Sequence, residues 1–185
     1  FDSIWENAAK LYYSKGEYEI AAKIYDRLAK QESDDSKADR WRMCTGIAYS
    51  RQGDYEKAEL IQRQCLEYRK RAYRQNSDGD GRLVTQAQRN LGQNAMAWKK
   101  YAEAKKFFAS SIHGLQKIPR EIISRDELEN YIKFNEQQIL LCTIQEEIKS
   151  VLFHYSKRNE RIAELVQLRS KSNAHYELCL APLLR

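Results

Sequence analysis

Three kinds of residue in this chain could do chemistry unaided: histidine, cysteine, and a run of acidic and amide side chains set among glycines. The histidines are His113, His154 and His175. They are scattered and no nucleophile motif accompanies them, so surface or internally bonded imidazoles are expected rather than catalytic ones. Cys44, Cys65, Cys142 and Cys179 lie far apart and none forms a C-x-x-C pair, which argues against zinc. Each sits in an otherwise apolar helical pattern and reads as a buried free thiol in a reducing, cytoplasmic or nuclear, compartment. Asn76-Ser77-Asp78-Gly79-Asp80-Gly81-Arg82-Leu83 offers oxygen ligands at alternate positions and glycine for a sharp turn, as a calcium loop requires. The twelfth position of such a loop should carry a bidentate glutamate, and here it is Ala87. A solvated linker is therefore the expectation. No phosphate-cradling glycine-rich loop occurs, and no catalytic residue, metal or cofactor is assigned.

The elements that would position any such group are helices. Of 185 residues, 42% are hydrophobic and 31% charged, the balance of a globular protein with a core rather than of a disordered one. Two prolines, Pro119 and Pro182, and seven glycines are too few breakers for many short strands. No run approaches the roughly 18 apolar residues of a membrane span. The chain begins at Phe1 with no basic-then-apolar leader, which reads as an excised fragment. A net charge of +6 is a mild basic bias. Its densest expression, YRKRAYR at 68–74, is expected to be a solvated helix face.

One phrase recurs. GEYEIAAKIY at 16–25 returns as GDYEKAELIQ at 53–62 and as KKYAEAKKFF at 99–108. Gly16 and Gly53 lie 37 residues apart, and Tyr55 and Tyr101 lie 46 apart. Internal similarity at such periods signals a repeat array. An apolar helical segment precedes each phrase and another follows, so each unit reads helix, tight turn, helix. Gly16 and Gly53 end the first helix where a left-handed backbone is wanted. Ala9, Gly46 and Gly92 on the first helices, and Ala21, Ala58 and Ala104 on the second, are small enough to let the two cross closely.

These residues resemble a tetratricopeptide repeat array. Trp5, Ala8, Ala9, Tyr12, Tyr18, Ala21, Tyr25 and Leu28 supply the first unit's pattern. Gly46, Tyr49, Tyr55, Ala58 and Cys65 supply the second, with the aromatic displaced to Trp41 and Gln62 in place of another aromatic. Leu91, Gly92, Tyr101, Ala104 and Phe108 supply the third, with Lys99 where the others have glycine and Ala95 where they have tyrosine. The periods exceed the family's usual 34 residues. In that spacing the units are similar to the long-period repeats of kinesin light chains. The resemblance implies an all-α, right-handed superhelical array of antiparallel helix hairpins with C-terminal capping helices. Three hairpins are expected at about 2–35, 38–74 and 83–117, within residues 1–118, leaving 119–185 as a degenerate repeat or cap.

The resemblance also implies a protein-interaction scaffold, not an enzyme, whose first helices line a concave groove for a peptide or helix of a partner. The groove candidates are Asn7 and Lys10, then Arg40, Met43, Ile47 and Arg51, then Gln86, Arg89, Asn90, Gln93 and Met96. Side-chain amides both donate and accept, which suits an extended main chain. Arginines favour a partner with acidic character. The carboxylate clamp of some co-chaperone relatives is not expected, because Glu6, Lys10, Cys44, Gln86 and Asn90 stand at its positions and Glu6 would repel the ligand. The second reading is a nucleic-acid or anion-binding module using the 68–74 run with Lys99, Lys100, Lys105 and Lys106. That run falls on a second helix and should face outward, which favours the protein partner. No membrane contact is expected.

Beyond Pro119 the phrase is lost. Ser124 and Glu127 fit a helix-capping box. Apolar residues from Leu128 to Leu152 keep helical spacing, a break is expected near Tyr155-Ser156, and a last helix follows through Ile162 to Leu180, ending in apolar LCLAPLLR. The repeat alignment makes one firm demand on packing. Ala58→Leu should overpack the second crossing and lower stability by about 1–3 kcal/mol in chemical denaturation, whereas an unchanged midpoint would mean that Ala58 faces solvent.

Overall fold

The computed structural model describes residues 2–75 and 81–171, with side chains described over 4–75 and 81–164. Among these residues there are seven helices and no strand: α1 (Asp2–Ser14), α2 (Tyr18–Gln31), α3 (Asp35–Gln52), α4 (Tyr55–Gln75), α5 (Arg82–Ala97), α6 (Tyr101–Leu115) and α7 (Arg125–Lys171). The chain divides into one compact unit of residues 1–143 and a second of 144–185.

In the first unit each helix packs on the next in sequence, and α3 also touches α5, so α1–α6 form three antiparallel hairpins in a row. The turns inside the hairpins are alike for a chemical reason. Gly16, Gly53 and Lys99 all hold positive φ, at 82°, 95° and 62°. The residue after each then donates its N–H back to the last helical turn: Glu17 to Tyr12 at 3.0 Å, Asp54 to Tyr49 at 3.0 Å, and Lys100 to Ala95 at 2.8 Å. These bonds satisfy carbonyls that the helix end leaves open. Glycine takes the left-handed region freely, and Lys99 accepts strain to make the same turn. Between the hairpins, Asp34 caps α3 by accepting from the N–H groups of Ser36 and Lys37.

The small residues meet where the repeat pattern requires. Ala9, Ala21, Ala58 and Ala104 are fully buried. A Cβ on Gly92 would stand 2.8–3.0 Å from the Phe108 ring, and one on Gly46 would stand 2.9 Å from Gln62 Cγ. Gln62 therefore fills the place an aromatic fills in the third hairpin. Tyr25 stacks on Trp41 with centroids 6.0 Å apart, joining the first hairpin to α3. Met43, Cys65, Leu66, Ala87 and Leu91 carry the core from the second hairpin into the third. Burial pushes the Cys65 thiol up to about 12 and raises Cys44 as well, so both behave as inert packing residues. Cys142 is buried too, while Cys179 and His175 lie outside the described residues.

One buried interaction links three helices. Arg69 of α4 donates from Nε to Asp39 Oδ2 of α3 at 2.7 Å and from Nη1 to the Leu83 carbonyl of α5 at 3.0 Å, and each partner of the ion pair is 95% shielded. This overturns the outward reading of the 68–74 run at its second residue. The charge is buried because Asp39 and the first carbonyls of α5 give it partners that an apolar interior lacks.

Leu115, Ile118 and Ile123 form a further cluster with Ile122, Leu128, Tyr131 and Ile132, closing the third hairpin against the start of α7. Ser124 Oγ accepts the Glu127 N–H there. The break expected near Tyr155-Ser156 is absent, since α7 continues to Lys171. Neither glycine nor proline occurs between 125 and 171, and tyrosine or serine alone does not end a helix. The second unit, as far as it is described, is the continuation of α7, with every described side chain except Glu146 exposed.

The buried pair has a measurable consequence. Arg69→Ala should lower stability by about 3–5 kcal/mol, because Asp39 is then left charged and unpartnered. Asp39→Leu combined with Arg69→Met should recover most of that loss in thermal denaturation. Equal losses in the single and double variants would mean that packing volume, not charge, is what matters.

Candidate functional site

A concavity of about 410 Å³ has walls from α3 and α5. Ile47, Ser50 and Arg51 come from α3, and Asn90, Gln93, Met96 and Ala97 from α5. Tyr55 and Gln62 of α4 and Gln138 of α7 complete its lining. The walls stand as they do because Arg69 ties α3 to α5 through α4 and because Asn94 Nδ2 donates to the Tyr55 carbonyl at 2.9 Å. Tyr55 stacks on Trp98 with centroids 6.3 Å apart, which steadies the turn end of the cleft.

Its chemistry is set by two amides. Asn90 is 8% exposed and Gln62 1%. Asn90 Nδ2 and Gln62 Oε1 are buried without a hydrogen-bond partner. One is a donor and the other an acceptor, and both belong to residues lining the same concavity. A buried amide atom left unpaired costs about 1–3 kcal/mol. Arg51 stands exposed at the same cleft and makes no ion pair among the described residues. Ile47 and Met96, both half-buried, give the cleft apolar area beside these polar groups.

The structure thus brings together five of the candidate residues: Ile47, Arg51, Asn90, Gln93 and Met96. The others stand apart. Asn7 is exposed on α1. Lys10 and Arg40 both pair with Glu6, Arg40 at 3.4 Å, and Arg40 also lies over the Trp41 ring at 4.9 Å. Met43 is core rather than groove. Gln86 and Arg89 line a separate small cleft of about 50 Å³ with Arg82, Thr85, Ser111, Leu115, Tyr131 and Asn135. Gln86 accepts from Arg69 at 3.3 Å, and the Arg89 guanidinium lies 5.2 Å from the Tyr131 ring and 5.7 Å from Phe134. Their polar heads are engaged within the fold.

Five lining residues escaped the sequence reading. Ser50, Tyr55, Gln62 and Ala97 lay inside recognised repeats. Gln62 carried a signal, an amide where the pattern expects an aromatic facing a glycine. Gln138 carried none, because it follows the last recognisable phrase. Of the calcium-like loop, residues 76–80 lie outside the described residues, and no group of three or more histidine, cysteine, aspartate or glutamate residues stands together among the described ones. In the basic run, Arg69 is buried and Lys70 pairs with Glu67 at 2.8 Å, while Arg71 and Arg74 remain exposed. Lys100 pairs with Glu59 at 3.3 Å and lies over the Trp98 ring.

Hairpins of this order, with left-handed turns and small residues at the crossings, define a tetratricopeptide-like helical repeat array. The tetratricopeptide repeat family model matches residues 46–71, covering most of α4 and the end of α3, and supports that family. A search of curated proteins gives no match to the chain. No helix among the described residues is long and apolar enough to cross a membrane.

The orphan amides yield a stability test. Gln62→Leu keeps the volume and removes an unpaired buried acceptor, so it should raise stability by about 1 kcal/mol in chemical denaturation. Asn90→Ala should leave the midpoint within about 0.5 kcal/mol of the parent, since Nδ2 gives up no internal bond. A loss of 2 kcal/mol or more in either variant would show that these amides are partnered.

Proposed function

We propose that the chain is a protein-interaction module whose α3–α5 cleft holds an extended segment of a partner protein with acidic side chains. The observation that carries this reading is the pair of unpartnered buried amide atoms, Asn90 Nδ2 and Gln62 Oε1, on one concavity. A peptide main chain offers one acceptor and one donor per residue, and these match the two orphans in type. Arg51 would meet a carboxylate beside the strand of backbone, and Ile47 with Met96 would cover an apolar side chain. The repeat family's common role in protein binding supports the same reading. The 37- and 46-residue spacings favour the long-period, kinesin light chain-like type of repeat. Adaptor work in the cytoplasm or nucleus is the corresponding cellular role.

Groove residues that are engaged within the fold make poor tests, so the experiment uses Asn90 and Arg51. A fluorescent library of extended acidic peptides, titrated by anisotropy, should yield binders to the parent chain. Asn90→Ala should weaken the best of them about thirtyfold, the effect of about 2 kcal/mol at a hot spot. Arg51→Ala should weaken acidic peptides and leave neutral ones unchanged. Arg74→Glu, on the outward run, should change nothing. If Arg74→Glu abolishes binding and Asn90→Ala does not, the nucleic-acid or anion-binding reading takes the place of this one.

A further inference from the structure

The second unit presents a face that nothing in the described chain covers. Along α7, Ile144, Ile148, Val151, Tyr155 and Ile162 are 39% to 67% exposed, far more than large apolar side chains on a monomer usually are when they stand together. Their spacing makes one narrow stripe along the helix. It runs four, three, four and seven residues, so they occupy alternating a and d positions of a heptad, with Arg158 at the remaining d position. A strict seven-residue repeat keeps its seam facing one partner helix only when two helices supercoil. Leu152 at an e position, also exposed, widens the seam. Phe153 lies on the opposite side, where Lys157 stands over its ring at 5.0 Å.

We propose that this face is a homodimer interface, an antiparallel two-stranded coiled coil between two copies of α7. The choice of occupant and direction comes from the charges. In the antiparallel register centred between Val151 and Tyr155, Ile144 meets Ile162 of the second copy, Val151 meets Tyr155, and Ile148 meets Arg158. The stem of Arg158 covers Ile148 while its guanidinium reaches the rim. That register sets Glu147 beside Arg158 and Arg161 of the second copy, and two-fold symmetry makes the contact twice. Glu147, Arg158 and Arg161 make no ion pair among the described residues, so their charges are free for such a contact. A parallel pair fails on the same residues. It would stack Arg158 on Arg158 in the seam, and it would face Glu147 with Leu152. The paired stretch from 144 to 162 is about 27 Å long at 1.5 Å per residue. The seam is self-complementary, and neither an acidic nor a basic foreign helix would match both ends of it.

The test uses the 185-residue chain. Sedimentation velocity at high micromolar concentration should give twice the chain mass of 21.8 kDa, falling to the monomer on dilution. Val151→Asp should weaken association at least a hundredfold with the circular dichroism of the hairpins retained. Glu147→Arg and Arg161→Glu should each weaken it about tenfold, and the double variant Glu147→Arg/Arg161→Glu should bind more tightly than either single variant, with the unchanged Arg158 keeping it short of the parent affinity. All three substituted positions are exposed, so none threatens the fold of the first unit. A parent chain that stays monomeric, with its own C-terminal residues or another protein on this face, overturns the proposal. So does a Val151→Asp dimer, and so does a charge swap without rescue, which would indicate a parallel pair.

Discussion

The position of the groove rests on one buried ion pair. Arg69 leaves α4 and reaches two other helices at once, Asp39 on α3 and the opening carbonyl of α5. In a low-dielectric interior a guanidinium with partners on fixed sides is a directional strut, because moving either helix by an ångström or two leaves a charge without its counterpart. The packed alanines and glycines at the crossings set how close helices come within a hairpin. The strut sets how one hairpin meets the next. The α3 and α5 walls of the cleft inherit their separation from it.

Two polar atoms of that cleft are ones the fold does not use for itself. Asn94 spends its donor on the Tyr55 carbonyl, and Ser111 spends its hydroxyl on the Thr85 carbonyl at 3.1 Å. Asn90 Nδ2 and Gln62 Oε1 make no such bond. Unpaired buried polar atoms are tolerated only where the surrounding packing is strong enough to carry them. Here the close contacts of Gly46 with Gln62 and of Gly92 with Phe108 supply that packing. Leaving these two amide atoms unpaired therefore works against stability. The neighbouring arginines illustrate the reverse case. Arg89 lies over Tyr131 and Phe134, and Arg40 pairs with Glu6, so their charges serve the array before any partner arrives.

The second unit follows a different physical rule. Helices α1–α6 bury their apolar stripes on neighbours in sequence, and each is short enough to turn back. From 125 to 171 no glycine or proline offers a turn, so α7 continues as one helix, and the described side chains from 144 to 164, Glu146 apart, are exposed. Its pattern also changes from the helix-hairpin phrase to a heptad. The cleft is lined mainly by the hairpin helices α3–α5, with Gln138 added from the start of α7, whereas the exposed apolar stripe lies further along α7.

The repeated phrase by itself determined the array. Glycine or its substitute after each first helix, tyrosine at each second helix start, and small residues at each crossing are local and steric requirements, and they are met in order along the chain. Lys99 departs from the glycine of the other units, yet it takes the same left-handed conformation. Five residues lining the cleft were picked out for the same reason, as they sit at fixed steps from that phrase. What the sequence could not decide was which polar side chains are already spent. Arg69 looks like any other member of a basic helix face until Asp39, 30 residues earlier, is brought to 2.7 Å. Asn90 and Arg89 are adjacent in the chain, yet one is an orphan donor in the cleft and the other is held over aromatic rings of α7. Gln138 enters the cleft from a helix with no repeat signature at all. Those outcomes depend on distances between residues remote in sequence, and only the packing of the helices sets them.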